Sequence, residues 1–376
     1  MANSFATLLA NSLANSLANL SKKPRLLWQL PILMLAASAV HAQERYNITV
    51  VGSPTSPFYG LEVNNAGQIA GTIVNASGVG RAALYSRGMI TQLGDLGGGY
   101  SVGLGINERG NVVGVSTNSA GQFRAFVYEN GAMRDIGTLG GPYADAEAIN
   151  NAGQITGSSS TSTNQQHAYR YTRGVLTDLG TLGGQYSYGR DINARGDVVG
   201  GSTINNDPSM TMHAFLYDGT RMRDLGTLGG RNSSAQAINN AGHIVGGAET
   251  AAGDGHAFFY ANGVMRDLGT LRGPQSVATG INNQDQIVGW STYTDTTYVT
   301  HAFVYSGGAM RDLNTLIDPA SGWTIGEAWD INDRRQILAF GCRADGCTSL
   351  LLTPVMAASE APAELAKPAE PTERAK

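Results

Sequence analysis

Only two cysteines occur among the 376 residues, and lysine is missing altogether between Gln43 and Pro354, where every fixed positive charge is arginine. We have no physical account of the missing lysine. There is no His-Glu-x-x-His, no nucleophile elbow and no closely spaced run of metal ligands, so the common zinc-hydrolase and serine-hydrolase motifs are excluded. Charge is also scarce, at 14% of residues with a net charge of −4. Without Lys22, Lys23 and Arg25, which precede the first acidic residue, the balance falls to −7. Phosphate backbones need a basic stripe, so nucleic acid is excluded as a partner. Aromatics make up 7% while glycine reaches 50 residues, a composition of many turns.

The one long apolar run, Leu26 to Val40, is shorter than the roughly 20 residues a spanning helix needs and contains Gln29 and Pro31. Preceded by Lys22-Lys-Pro-Arg25 and followed by Ala39-Val-His-Ala42, it reads as a secretory leader over residues 1–42, cleaved after Ala42. That predicts an exported protein, secreted or periplasmic, with no membrane span once the leader is removed. Export also permits Cys342 and Cys347, which flank Arg-Ala-Asp-Gly, to form a disulfide across a hairpin. The stretch 355–376 is Ala, Pro, Glu and Lys and cannot bury a core, so a disordered tail is expected.

Between these ends a stretch repeats. Its fifth copy has short runs at Ser234–Ile238, Ile244–Gly247, His256–Tyr260 and Val264–Leu271, separated by turn residues, and reads as a four-stranded antiparallel meander. An Ile/Val-Asn-x-x-Gly turn marks the copies, with its asparagine at 64, 107, 150, 193, 239, 282 and, degenerate, 332, Asp285 standing in the glycine's place after Asn282. The separations are 43, 43, 43, 46, 43 and 50. Four strands every 43 residues or so predicts an all-β, seven-bladed β-propeller over 43–354. The last copy has only three runs, Ile325–Ile331, Gln336–Phe340 and Ser349–Thr353, while Tyr46–Gly52 belongs to none. The N-terminal run is therefore expected to supply the outer strand of the last blade, removing two open edges.

Pairing the third and fourth strands about Asn262-Gly263 sets Tyr260 opposite Met265 and Phe258 opposite Asp267. An offset of 11 then joins a donor to an acceptor in six copies. The pairs are Arg81 with Gln92, Arg124 with Asp135, His167 with Asp178, His213 with Asp224, His256 with Asp267, and His301 with Asp312. Copies spread around a ring cannot share one metal ion or one active site, so these pairs are read as locks on hairpin register. Turn chemistry likewise accounts for the marker asparagines. Gly140-Gly141 and Gly183-Gly184 are expected to end the outer strand and let the chain cross back.

The wording of the repeat resembles the extracellular HAF-repeat family. It carries His213-Ala-Phe215, His256-Ala-Phe258 and His301-Ala-Phe303, with variants His167-Ala-Tyr169 and Arg124-Ala-Phe126, and Asp-Leu-Gly-Thr-Leu-Gly-Gly from Asp178 and Asp224. The likeness spans Val63 to about Leu316; Arg81-Ala-Ala83 and Thr348-Ser-Leu350 depart from it at the two ends. It implies export and a propeller, and carries no reaction.

Particular function is expected where copies differ. The loops between second and third strands vary, as does the position two before the marker Ile or Val: Leu61, Leu104, Glu147, Arg190, Gln236, Thr279 and Trp329. Tyr100, Tyr143 and Tyr186 recur after the glycine pairs, close to Asp145, Glu147, Tyr188, Arg190 and Asp191. Aromatic rings beside carboxylates and an arginine suit a glycan or protein ligand, although such tyrosines could equally just cover the blade ends. Asp145 and Glu147 on one strand would not flank a glycosidic bond without a partner such as Glu62, Asp191, Glu327 or Asp330. The expectation is a monomeric binding or scaffolding module without cofactor or metal; the alternative is a polysaccharide-acting enzyme with acids at the channel mouth.

Overall fold

A computed structural model describes residues 44–53, 56–206, 209–294 and 299–355. The leader, residues 1–42, and the tail from 356 onward lie outside the described residues. The rest is β-strand and turn, apart from 3-10 turns at Leu313–Thr315 and Pro319–Ser321.

The fifth copy shows how the sequence makes its unit. Strands Gly229–Ile238, Ile244–Thr250, Gly255–Ala261 and Val264–Asp267 form one antiparallel meander. Its last hairpin has Tyr260 opposite Met265 and Phe258 opposite Asp267, as the turn chemistry predicted. Asn262 and Gly263 both take positive φ, 53° and 81°. That is the mirror-image turn whose twist matches the strands it joins. In the third copy the first strand is split into Gly140–Ala144 and Ala148–Ile149. Gly140 and Gly141 open that strand rather than end the preceding one, which corrects the sequence reading. Gly140 has φ 104°, a conformation glycine adopts without penalty at this corner.

The two ends of the described chain meet. Strand Arg45–Ser53 pairs antiparallel with Gly346–Val355, from Arg45 opposite Val355 to Val51 opposite Ser349. The order Thr324–Ile331, Ile337–Arg343, Gly346–Val355, Arg45–Ser53 completes the four-stranded pattern that the last copy lacks. Cys342 and Cys347, directly opposite in this sheet, are disulfide-bonded.

Between copies, side chains of the repeat do the joining. Each marker asparagine folds its own turn: Asn239 Oδ1 accepts from Ala241 N at 3.1 Å and His243 N at 3.0 Å. Its Nδ2 donates to the carbonyl of the next marker, Asn282, at 3.1 Å. The same donation runs from Asn64 to Asn107, Asn150, Asn193, Asn239, Asn282 and Asn332, and from Asn332 back to Asn64 at 2.9 Å. The belt closes, so the sheets form a ring. Asn239→Ala is expected to cost about 2–3 kcal/mol, because it orphans buried backbone groups on both sides, and urea unfolding would measure it.

The His-Ala-Phe tripeptide has a packing reason at each place. Phe258 and its counterparts Phe126, Tyr169, Phe215 and Phe303 are fully buried, worth roughly 1.5–3 kcal/mol each. The alanine leaves room for the neighbouring unit: Ala257 N donates to Ser276 Oγ at 2.8 Å, which donates to Gly269 O at 2.6 Å. Three further copies repeat this bolt, at Ser101, Ser187 and Ser233. The histidine Nδ1 lies 2.7–3.0 Å from its aspartate in all four His copies, and Arg124 does the same with Asp135 at 2.9 Å. Gln92 is not the partner of Arg81. That role falls to Asp95, 3.7 Å away, three residues farther along, where the longer arginine reaches it.

Candidate functional site

Six first strands carry a break in register just before the marker, and in the third copy the strand is interrupted there instead. The ladder skips one residue between Gly60 and Glu62, Gly103 and Gly105, Gly189 and Asp191, Ala235 and Ala237, Ala278 and Gly280, and Ala328 and Asp330. These are β-bulges, which turn an extra, unpaired side chain off the sheet. Close approach makes the bulge possible, since a Cβ on Gly246 of the second strand would lie 2.0 Å from Ser234 O.

The extra residues Leu61, Leu104, Arg190, Gln236, Thr279 and Trp329, with Glu147 in the split strand, line a central cavity of about 320 Å³. These are the seven variable positions singled out from the sequence. Because a bulge breaks alternation, the next residue also faces inward, and Glu62, Asp191 and Asp330 join the lining. The same three border a second cavity of about 180 Å³ at the asparagine-belt end. They form the floor between the two.

Each floor carboxylate also ties one unit to the next. Glu62 Oε2 accepts from Ile106 N at 2.8 Å, Asp191 Oδ2 from Ile238 N at 2.8 Å and Asp330 Oδ2 from Val63 N at 2.9 Å. Burial pushes Asp191 and Asp330 up to about 6, against the pull of those N–H donors. Burial, with the charges of Asp330 and Asp191 added, holds Glu62 well above the usual carboxylate range. Glu147 is pushed by burial to about 7 although Arg190 Nη1 lies 3.0 Å from it. Among the described residues no group of three His, Cys, Asp or Glu could hold a metal ion.

An aromatic run lies on the second and third copies. Phe123 has its ring 6.0 Å from that of Tyr100, edge-on, and 6.4 Å from that of Tyr143. Phe123 is 44% exposed. No periodicity signals this contact, because Phe123 closes a variable loop and Tyr143 belongs to the next unit.

The belt, the bulges and the shared cavity decide the architecture. The fold is a β-propeller. It is similar to a puromycin-hydrolyzing peptidase from Mycobacterium tuberculosis, at TM-score 0.51 and 10% identity, over 77% of this chain and 49% of that one. It is also similar to virginiamycin B lyase from Staphylococcus aureus, at TM-score 0.48 and 11% identity, over 82% of this chain and 100% of that one. TolB from Acinetobacter baumannii follows at TM-score 0.42 and 10% identity, over 81% and 65%. The chain thus spans about half the peptidase and 65% of that TolB. At such identities the likeness is one of fold alone. No family model matches the sequence, and no curated protein does.

On this propeller the sequence-predicted site residues divide into three groups. Tyr100 and Tyr143 join through Phe123, and Tyr186 is 37% exposed on the next blade. Glu147 and Arg190 pair on the cavity wall, and the Arg190 guanidinium also lies 5.0 Å from the centre of the Tyr188 ring. Asp145 and Asp191 are spent on structure. Asp145 is buried and accepts from Ser158 N at 2.8 Å, Ser158 Oγ at 2.7 Å and Tyr143 OH at 2.7 Å. Asp145 therefore does not stand beside Glu147 in the cavity, and of the suggested partners Glu327 does not line it. Among the described residues no helix is long and apolar enough to cross a membrane.

Proposed function

We propose that the protein is an exported, seven-bladed β-propeller of the HAF-repeat kind that binds an envelope or extracellular ligand on the face bearing Tyr100, Phe123 and Tyr143. Seven marker asparagines, linked in one closed belt, support the blade count. A disulfide and a leader-like N-terminus support export.

The observation that carries the binding reading is the contiguous row of three rings across two blades. Rings held by their neighbours, with a hydroxyl anchored as Tyr143 OH is on Asp145, make a rigid apolar shelf with polar edges. A sugar ring stacks its C–H face on such a shelf at little entropic cost. A glycan is therefore the ligand favoured over a protein. Replacing Phe123 and Tyr143 together by Ala is expected to lower affinity for the best ligand of an envelope-glycan array at least about tenfold, or 1.4 kcal/mol, without unfolding the ring. Unchanged binding by that variant would remove the proposal.

The alternative is a polysaccharide-acting enzyme, favoured by one observation: Glu147, held at about 7 beside Arg190, is suited to give up a proton near neutrality. It is separated from binding by product release that Glu147→Gln abolishes.

A further inference from the structure

The blades differ at one cross-strand pair near the ligand-facing end, and the difference leaves a hole. The pair is Tyr59 with Thr72, Val102 with Val115, Tyr188 with Gly201, Val277 with Trp290 and, in the last blade, Glu327 with Phe340. In the third blade Asp145 stands across from Ser158 and bonds to it. In the fifth blade it is Ser234 with Gly247, the one pair in which neither side chain is bulky or bonded to its partner. The fourth blade also has a glycine, but there Tyr188 covers it: a Cβ on Gly201 would lie 2.6 Å from the tyrosine hydroxyl. The three atoms nearest a Cβ on Gly247 all belong to the Val277 side chain, at 3.3 to 3.9 Å, and none is closer.

The result is a cavity of about 310 Å³, walled by Met212, Ser234, Gly247, Ala248 and Val277, with Asn232, Gln236 and Glu249 at its edge. That volume lies at the lower end of the range of small-molecule sites. Met212 is held in place by Tyr188, whose hydroxyl lies 2.9 Å from its sulfur and 3.3 Å from Ser234 Oγ. Glu249 is the one charged residue in the lining. Arg231 N and Asn232 N donate to its Oε2 at 3.0 and 3.3 Å, and Asn232 Nδ2 to its Oε1 at 2.8 Å. These donors, Asn232 Nδ2 first, hold its carboxyl below the usual range. The neighbouring Arg231 guanidinium donates to Ser209 Oγ at 2.7 Å and Thr211 Oγ1 at 3.2 Å, and its charge adds a smaller pull on Glu249.

We propose that this cavity is a ligand site separate from the aromatic shelf, and that it takes an aromatic ring carrying a protonated amine. The ring occupies the space that Tyr188 and Trp290 fill in the adjoining blades, between Met212 and Val277. The ammonium lies toward the Glu249 carboxylate, where a carboxylated analogue would be repelled. An aromatic occupant follows from what neighbouring copies of the same unit place there, and the cation from the sign of the only charge in the wall.

The test is calorimetric titration of the full chain with tryptamine, with indole-3-propionate as the anionic counterpart. Tryptamine is expected to bind saturably and at least about tenfold more tightly than the acid. Ser234→Tyr, which copies the fourth blade, and Gly247→Trp, which copies the sixth, should each abolish binding while the melting temperature is kept. If either variant fails to fold, the other decides. Glu249→Gln should weaken tryptamine at least about threefold and leave neutral indole unchanged. No saturable binding of tryptamine up to about 10 mM, equal affinity for the acid, or full binding by a folded filled variant would each overturn the site.

Discussion

A chain shortened to begin at Pro57, without strand Arg45–Ser53, is expected to lose its cooperative unfolding transition. That strand contributes the buried side chains of Tyr46 and Val51, worth roughly 1.5–3 kcal/mol each. Its backbone makes a full ladder with Gly346–Val355, and Tyr46 N also donates to Leu316 O at 2.9 Å and Thr348 Oγ1 to Val51 O at 2.8 Å. At about 1 kcal/mol per net hydrogen bond, ladder and burial together approach 10 kcal/mol, comparable to the whole stability of an ordinary domain. The strand is also the only link in the ladder order between Gly346–Val355 and Ser56–Val63, through Gly52 with Pro57. Its loss opens the ring and bares Leu350 and Leu352, now on an edge that other chains can extend. Urea unfolding followed by tryptophan fluorescence should show a broad, early transition and aggregation at rest, and a peptide of residues 44–53 added in trans should sharpen it again. An unchanged midpoint would mean that the ring is held by its belt and bolts without this clasp.

Closure was legible in the sequence because it is a matter of strand counting: one copy was a strand short and one strand had no copy. The hairpin register was legible for a similar reason, since Asn262-Gly263 fixes the turn and the turn fixes Tyr260 opposite Met265. The central cavity was half legible. Variation among Leu61, Leu104, Glu147, Arg190, Gln236, Thr279 and Trp329 marked one inward position, and Glu62, Asp191 and Asp330 were legible as acidic partners, but strict alternation gives no reason for two successive residues to face inward. A bulge undoes that parity, and its signal is the small residue in the second strand, Gly71, Gly114, Gly200, Gly246 or Gly289, whose Cβ would strike the first strand's carbonyl within 2.3 Å. The second use of the marker asparagine was not legible. Turn chemistry already explains the side-chain oxygen, and nothing local tells that the amide nitrogen reaches a carbonyl 43 residues away in sequence. Arg81 failed as a match to Gln92 because the first unit moved its acid to Asp95, and only coordinates show how far an arginine reaches.

Thermal stability is expected to be higher at pH 5 than at pH 8, the reverse of what salt-bridged carboxylates produce. Asp191 and Asp330, buried and raised to about 6, Glu147, raised to about 7, and Glu62, raised well above its usual value, all keep their protons to higher pH in the folded ring than in the unfolded chain. The unfolded chain releases those protons near pH 4. Between pH 4 and 7 the folded state therefore binds more protons than the unfolded state, and stability falls as pH rises through that window. Asp95 and Glu249 act with the opposite sign: backbone N–H donors, Gly99 first, lower Asp95, and Asn232 lowers Glu249. Their contribution is present above about pH 4 and lost below it, which places the optimum near pH 5. A displacement of about two units is worth on the order of 3 kcal/mol per group at full burial, and less here because these side chains line a cavity rather than a packed core. At about 2 °C per kcal/mol for a domain of this size, calorimetry at constant ionic strength should find the melting temperature at least about 5 °C lower at pH 8. Asp330→Asn should flatten part of that slope, losing the charge while its remaining carbonyl can still accept one of the two donors, Val63 N or Ile331 N. A melting temperature that climbs from pH 5 to pH 8 would show that the cavity floor is ionised throughout, its charges screened by water rather than confined by the ring.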